Sequence, residues 1–186
     1  MVPVMSLWLP ILLSAVIVFV ASSIIHMVLP YHRKDFSKLP NEDGVMDALR
    51  KLGVPPGDYL FPKPDSAKAM KDPAFQAKWS KGPVGMMTVM PSGPPSMGKP
   101  LALWFLYCVV VGIFAAYIAG RALPQGAPYL SVFRFVGCTA FVGYGLALWQ
   151  DTIWYHRAWT TTLKYNIDSL IFALLTAGTF GWLWPK

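Results

Sequence analysis

The stretch Ile24–Phe36, IIHMVLPYHRKDF, passes from apolar to charged residues within a few positions. The apolar run before it begins near Leu7 and ends at Leu29. Pro30 follows, and proline cannot continue a helix because its nitrogen carries no hydrogen. A helix needs about 20 apolar residues to cross about 30 Å of hydrocarbon. The stretch therefore marks the point where a membrane-spanning helix ends and a polar segment begins.

The composition also indicates a membrane protein. Of the 186 residues, 55% are hydrophobic and 13% are charged, whereas soluble domains carry about 25% charged residues. The formal net charge of +7 would also suit a nucleic-acid-binding protein. However, the basic residues flank apolar runs and do not form a patch on a soluble fold. Attraction to anionic lipid headgroups explains the charge better, so we expect a lipid bilayer and no nucleic acid as a partner.

The apolar runs define four predicted spans. Residues 1–29 form the first, and three more lie within residues 100–186, at about 100–122, 129–149 and 165–184. Small residues recur at steps of four in the second and fourth spans, which permits close helix packing in lipid. We predict an all-α integral membrane protein, a four-helix transmembrane bundle.

Residues 30–99 differ from the rest because they carry 11 of the 16 basic and 7 of the 9 acidic residues. Within them, NEDGVMDALRKLG predicts a short helix with Asn41 as its N-cap and Gly53 as its stop. A second short helix is predicted over residues 72–80. The remainder is rich in Pro, Gly and Met, so we expect a partly irregular segment that cannot bury a core of its own.

The basic residues near the span ends predict the orientation. Most of them fall within residues 30–99 and 150–164, and basic loops tend to stay in the cytoplasm. Both of these segments are therefore predicted to be cytoplasmic, with the N- and C-termini outside the cytoplasm. The overall pattern is that of a small bacterial inner-membrane protein.

Two charged residues fall inside predicted spans. Asp168 lies about one turn into the fourth span, where a carboxylate costs a few kcal/mol unless it is paired or hydrated. It could anchor the helix end near Lys164, carry a proton or cation, or form a polar lock between helices. Arg134, near the outer end of the third span, is expected to extend its side chain to the interface.

The three histidines, His26, His32 and His156, are all predicted to lie near the cytoplasmic face, together with Asp35 and Asp151. Imidazoles and carboxylates are ligands of transition metals, so a transition metal is the cofactor that these residues suggest. The spacing matches no metal-binding motif, and histidines that contact lipid headgroups are the simpler interpretation. A separation of about 5 Å among the histidines would favour a metal site.

The segment WQDTIWYHRAWTTTLKYNID is dense in Trp, Tyr and Arg, which are enriched at protein interfaces. An aromatic belt at the membrane surface is the alternative. The residues predicted to contact a partner are Trp154, Tyr155, Arg157 and Trp159.

The sequence contains no P-loop, no G-x-S-x-G, no C-x-x-C and no dinucleotide-binding fingerprint, so an enzyme is the less favoured class. The first hypothesis is a non-catalytic accessory or assembly subunit that binds other subunits of a larger membrane complex. The alternative is a metal-binding or proton- or ion-transporting protein that uses the His/Asp cluster. A third hypothesis is a membrane enzyme acting on lipid or quinone, with Asp151 and His156 as an acid–base pair.

Overall fold

A computed structural model describes residues 1–186, of which 67% are helical. In chain order, the helices are α1 (Trp8–Ser23), α2 (Glu42–Lys51), α3 (Pro73–Lys81), α4 (Gly98–Ala122), α5 (Tyr129–Tyr144), α6 (Trp149–Tyr155) and α7 (Trp159–Trp182). Two strands, β1 (Gly57–Phe61) and β2 (Gly85–Val89), complete the regular structure. The chain divides into two compact units, residues 1–36 with 96–186, and residues 37–95.

Three helical stretches of the first unit are long and apolar enough to cross a membrane: Val4–Val28, Gly98–Ala122 and Tyr129–Tyr155. They include the first three predicted spans almost completely. The third stretch is longer than predicted, because α5 continues through a 3₁₀ turn at Leu146–Leu148 into α6. At 1.5 Å per residue, about 25 residues are enough for the hydrocarbon core.

The fourth predicted span corresponds to α7, a helix of 24 residues that is not among the three apolar stretches. It begins at Trp159, six residues before the predicted start at residue 165. Eleven of its residues are buried, and Asn166, Asp168 and Ser169 are among them. The polar residues that lower its mean hydropathy therefore face other helices. Because only three stretches are apolar enough to span a membrane, the four-helix transmembrane bundle stays a prediction.

The four long helices form a closed ring, because α1 and α5 each pack against both α4 and α7. Two apolar clusters fill the interior, one around Leu7, Val132 and Phe180 and the other around Val18 and Phe172. Small residues allow the close approach that packing in lipid requires.

The first apolar stretch ends in an unusual turn. Ile24–Val28 is a π-helical turn, in which the Leu29 N–H donates to the Ile24 carbonyl at 3.1 Å. Leu29 is extended, as residues before proline usually are, and Pro30–His32 forms a 3₁₀ turn. The ring of His32 thereby stacks on that of His26, with centroids 4.3 Å apart.

In the second unit, α2 and α3 are the two predicted short helices. The side chain of Asn41 caps α2 by accepting from the Gly44 N–H at 3.3 Å. Asp72 caps α3 by accepting from the Ala74 N–H at 2.7 Å. Such caps satisfy N–H groups that have no partner within the helix.

The sequence analysis missed the two-stranded antiparallel sheet of this unit, in which Gly57 pairs with Val89 and Phe61 with Gly85. Each strand has only five residues between Pro- and Gly-rich flanks. This is too short for the alternation of apolar and polar residues that is typical of strands to be recognised. Pro62 is the single buried residue among residues 37–95. The unit therefore has almost no core of its own.

Candidate functional site

A polar cluster lies where the chain leaves α1 and enters α7, and His32 is at its centre. The Nδ1 atom of His32 is 2.6 Å from Oδ2 of Asp35, and its Nε2 atom is 2.8 Å from Oδ2 of Asp168. The side chains of all three residues are less than 10% exposed. The imidazole is therefore held at both nitrogens by buried carboxylates.

Lys164 forms an ion pair with Asp35. Its Nζ donates to Oδ1 of Asp35 at 2.7 Å and to the Tyr31 carbonyl at 3.0 Å. Burial alone would raise the pKa of Asp35, but hydrogen bonds from Lys164 and His32 outweigh burial and hold that pKa below its ordinary value. Asp35 is thus an ionised acceptor that orients the His32 ring.

His26 lies in the π-helical turn, where its Nδ1 is 3.1 Å from the Ser22 carbonyl oxygen. One ligand atom each from His26, His32 and Asp168 forms a group within 4.8 Å. π-Helical turns occur frequently at functional sites, and this one places the exposed His26 beside the half-buried His32 and the buried Asp168. Three potential metal ligands therefore lie close together. Because the lone pair of a ring nitrogen lies in the ring plane, one of the two stacked rings would have to turn for both to bind the same ion.

The hydrogen bonds of the two imidazoles determine which nitrogen is available. A carbonyl oxygen and an ionised carboxylate only accept hydrogen bonds, so Nδ1 carries a hydrogen in both His26 and His32. Nε2 of His26 is then available as a ligand, whereas Nε2 of His32 binds a metal only after it gives up the hydrogen of its bond to Asp168. Metal-binding histidines are commonly oriented this way, by a second hydrogen bond to a carboxylate or a backbone carbonyl.

The structure brings together only two of the three histidines proposed as metal ligands. His26 and His32 join Asp168, which the sequence analysis treated as a separate intramembrane group. His156 is outside the group: it is exposed, and it ends α6 in the left-handed conformation with φ of 54°. The side chain of Asp151, its proposed acid–base partner, instead lies 3.9 Å from the guanidinium of Arg157.

The other predicted residues lie on the surface of the chain. Arg134 is exposed and forms no ion pair, and it does not pair with Asp168. The guanidinium of Arg157 lies 5.0 Å from the ring centroid of Tyr165. Three aromatic side chains are more than half exposed, namely Trp154, Tyr155 and Trp159.

The sequence analysis missed the backbone and aromatic partners of the cluster, Ser22, Tyr31 and Tyr165. Ser22 lies four residues before His26, the spacing at which helical side chains can reach backbone carbonyls. In the structure the Tyr165 ring is 5.0 Å from the His32 ring.

Comparison with protein-family models, with curated proteins and with solved structures finds no match to this chain. Function is therefore inferred from the side-chain geometry described above.

The ion pair between Lys164 and Asp35 yields a stability prediction. Replacing Lys164 with Met should lower the free energy of unfolding by roughly 3 kcal/mol, because it leaves the buried Asp35 carboxylate without its cation. This is the lower end of the range for buried pairs, since the Lys164 side chain is 27% exposed. Thermal unfolding in detergent, followed by circular dichroism, measures the change.

Two comparisons make this prediction specific. The double variant Lys164→Met, Asp35→Asn should recover part of the loss, because the uncompensated charge is gone. Lys38→Met is the matched control: its pair with Glu42 is exposed, so the change should be below about 1 kcal/mol. Equal losses in Lys164→Met and Lys38→Met would contradict a buried ion pair.

Proposed function

We propose that this chain is a small integral membrane protein that binds one divalent transition-metal ion through His26, His32 and Asp168. The observation that carries the proposal is the convergence of three ligand atoms within 4.8 Å. The three apolar helices support the membrane assignment. Of the two main hypotheses drawn from the sequence, this geometry favours the metal-binding one.

The ligand set narrows the choice of metal. Two imidazoles and one carboxylate suit zinc, and the same set with open positions is typical of non-haem ferrous iron. Bonds of about 2.0–2.2 Å in tetrahedral geometry place neighbouring ligand atoms about 3.3 Å apart. Nε2 of His32 and Oδ2 of Asp168, now 2.8 Å apart, would separate by about half an ångström and lose the hydrogen between them. The His26 ring, now stacked on that of His32, would turn to bring its nitrogen to the ion.

The surroundings also support a metal site. Asp35 and the Ser22 carbonyl orient the two imidazoles, and Lys164 fixes Asp35 in turn. With three protein ligands, a tetrahedral ion keeps one position open for water or a substrate, as catalytic zinc sites do. We therefore assign the site a binding or catalytic role and not a purely structural one.

The metal proposal predicts specific losses of binding. Purified protein dialysed against Zn²⁺ should retain about one equivalent per chain, measured by elemental analysis. His26→Ala should weaken binding at least tenfold, and because His26 is exposed, this variant should fold normally. Asp35→Asn should weaken binding about 10- to 100-fold, the range for residues that orient metal ligands.

His156→Ala is the matched control, since His156 lies outside the cluster. It should bind zinc like the unchanged protein. A folded protein that retains no zinc or ferrous iron at about 100 µM metal, roughly tenfold above the dissociation constant of a weak site, would overturn the proposal. Equal losses in His156→Ala and His26→Ala would overturn the ligand assignment.

The accessory-subunit hypothesis is the second candidate. It is favoured by the exposed aromatic residues around α6, Trp154, Tyr155 and Trp159, which are of the kind that protein interfaces bury. In this proposal the chain lies in the bacterial inner membrane with both termini outside the cytoplasm. Residues 150–164 then contact other membrane subunits from the cytoplasmic side.

One labelling experiment tests both parts of this candidate. Trp159→Cys, in a background with Cys108 and Cys138 changed to Ser, is treated with a membrane-impermeant maleimide. We expect no labelling from outside in spheroplasts, and slower labelling in inverted vesicles than in the purified protein, because a partner covers the residue. Labelling from outside contradicts the orientation, and equal rates in vesicles and purified protein contradict the partner.

A further inference from the structure

A cavity of about 420 Å³ lies directly beside the proposed metal site. Both His26 and Asp168 line it, together with residues of α4, α5 and α7. Its volume is within the usual range of small-molecule sites, about 300–1,000 Å³. An open coordination position on the metal would therefore adjoin a space large enough for an organic ligand.

Aromatic rings form much of the cavity wall. Trp104, Tyr144 and Phe172 line it and pack against one another, with ring centroids 5.7–6.2 Å apart. The indole Nε1 of Trp104 donates to the Ser22 hydroxyl at 2.8 Å, and that hydroxyl donates to the Phe19 carbonyl at 2.9 Å. The mutual packing holds the rings in place and leaves apolar surface for a ligand.

The charge around the cavity argues against an anionic head group. No Lys or Arg lines it, and the nearby cation, Lys164, is already hydrogen-bonded to Asp35. In the protein without metal, a fatty acid or a phosphate would find no free cation in the wall, so a neutral head group fits better.

Access to the cavity is apolar. Met27 and Met97 line it and are 65% and 57% exposed. Methionine side chains are flexible and adapt to varied apolar ligands. A lipophilic molecule that reaches the cavity past these two residues would contact apolar side chains.

We propose that this cavity binds a neutral, ring-bearing lipophilic molecule of the quinone or quinol class. The ring packs against Trp104, Tyr144 and Phe172, and one ring oxygen faces His26 and Asp168. This inference rests on the proposed function for its polar end, where the oxygen occupies the open position of the metal. The wall contacts are independent of the metal.

The test measures binding of decylubiquinone to the zinc-loaded protein in detergent by isothermal titration calorimetry. Leu101→Trp fills the cavity and should weaken binding at least tenfold. Leu103→Trp, two residues along α4 on its exposed side, is the matched control and should leave binding unchanged. In the chelator-treated protein, where no metal attracts its carboxylate, decanoate should bind at least tenfold more weakly than the quinone.

Two further variants keep the test decisive. If Leu101→Trp fails to fold, Met97→Trp at the exposed rim should give the same loss. Zinc should raise the affinity for decylubiquinone at least threefold relative to the chelator-treated protein, and His26→Ala should abolish this increase. Equal effects of a cavity variant and Leu103→Trp would overturn the proposal, and so would decanoate binding to the chelator-treated protein as tightly as the quinone does.

The metal measurement separates this inference from the proposed function. If zinc binds but the cavity variants do not affect quinone binding, the cavity assignment fails and the metal site stands. If no metal binds but quinone binding still depends on Leu101, the metal site fails and only the wall contacts of this inference stand.

Discussion

A carboxylate buried among apolar helices needs a partner, and this constraint explains much of the local architecture. The Asp168 side chain is 3% exposed, and an unpaired charge there would be costly. His32 provides the partner, but only because the chain turns at Pro30 and returns the imidazole to the end of α1. Asp35 and Lys164 then hold that imidazole in place.

The same arrangement connects the fold with the proposed chemistry. The polar side of α7 faces the interior of the helix ring. The polar residues that lower the hydropathy of α7 therefore lie next to the apolar wall of the cavity. Where the polar and apolar parts meet, the ligand atoms of His26, His32 and Asp168 adjoin the aromatic cavity. A metal with an open position and a lipophilic ligand would meet at this boundary.

Hydropathy and proline predicted the apolar helices well, because a run such as 100–122 has few ways to satisfy its backbone in lipid other than as a helix. Helix N-caps were also predictable from the sequence, as at Asn41. The site was predictable only in part. His26 and His32 lie on either side of a turn whose π-helical geometry no sequence pattern indicated, while Asp168 comes from 136 residues beyond His32. Such long-range pairing depends on helix packing, so His156 was equally plausible before the structure placed it elsewhere.

Nitrogen-15 NMR of protein with labelled histidines distinguishes the two proposed ligands from His156, because the chain has three histidines and each ring nitrogen reports its own proton or metal. On adding Zn²⁺, the Nε2 signals of His26 and His32 should shift while both rings retain Nδ1–H, and the signals of His156 should not change. A shift at His156, or none at His26 and His32, would contradict the convergence of these two imidazoles on Asp168.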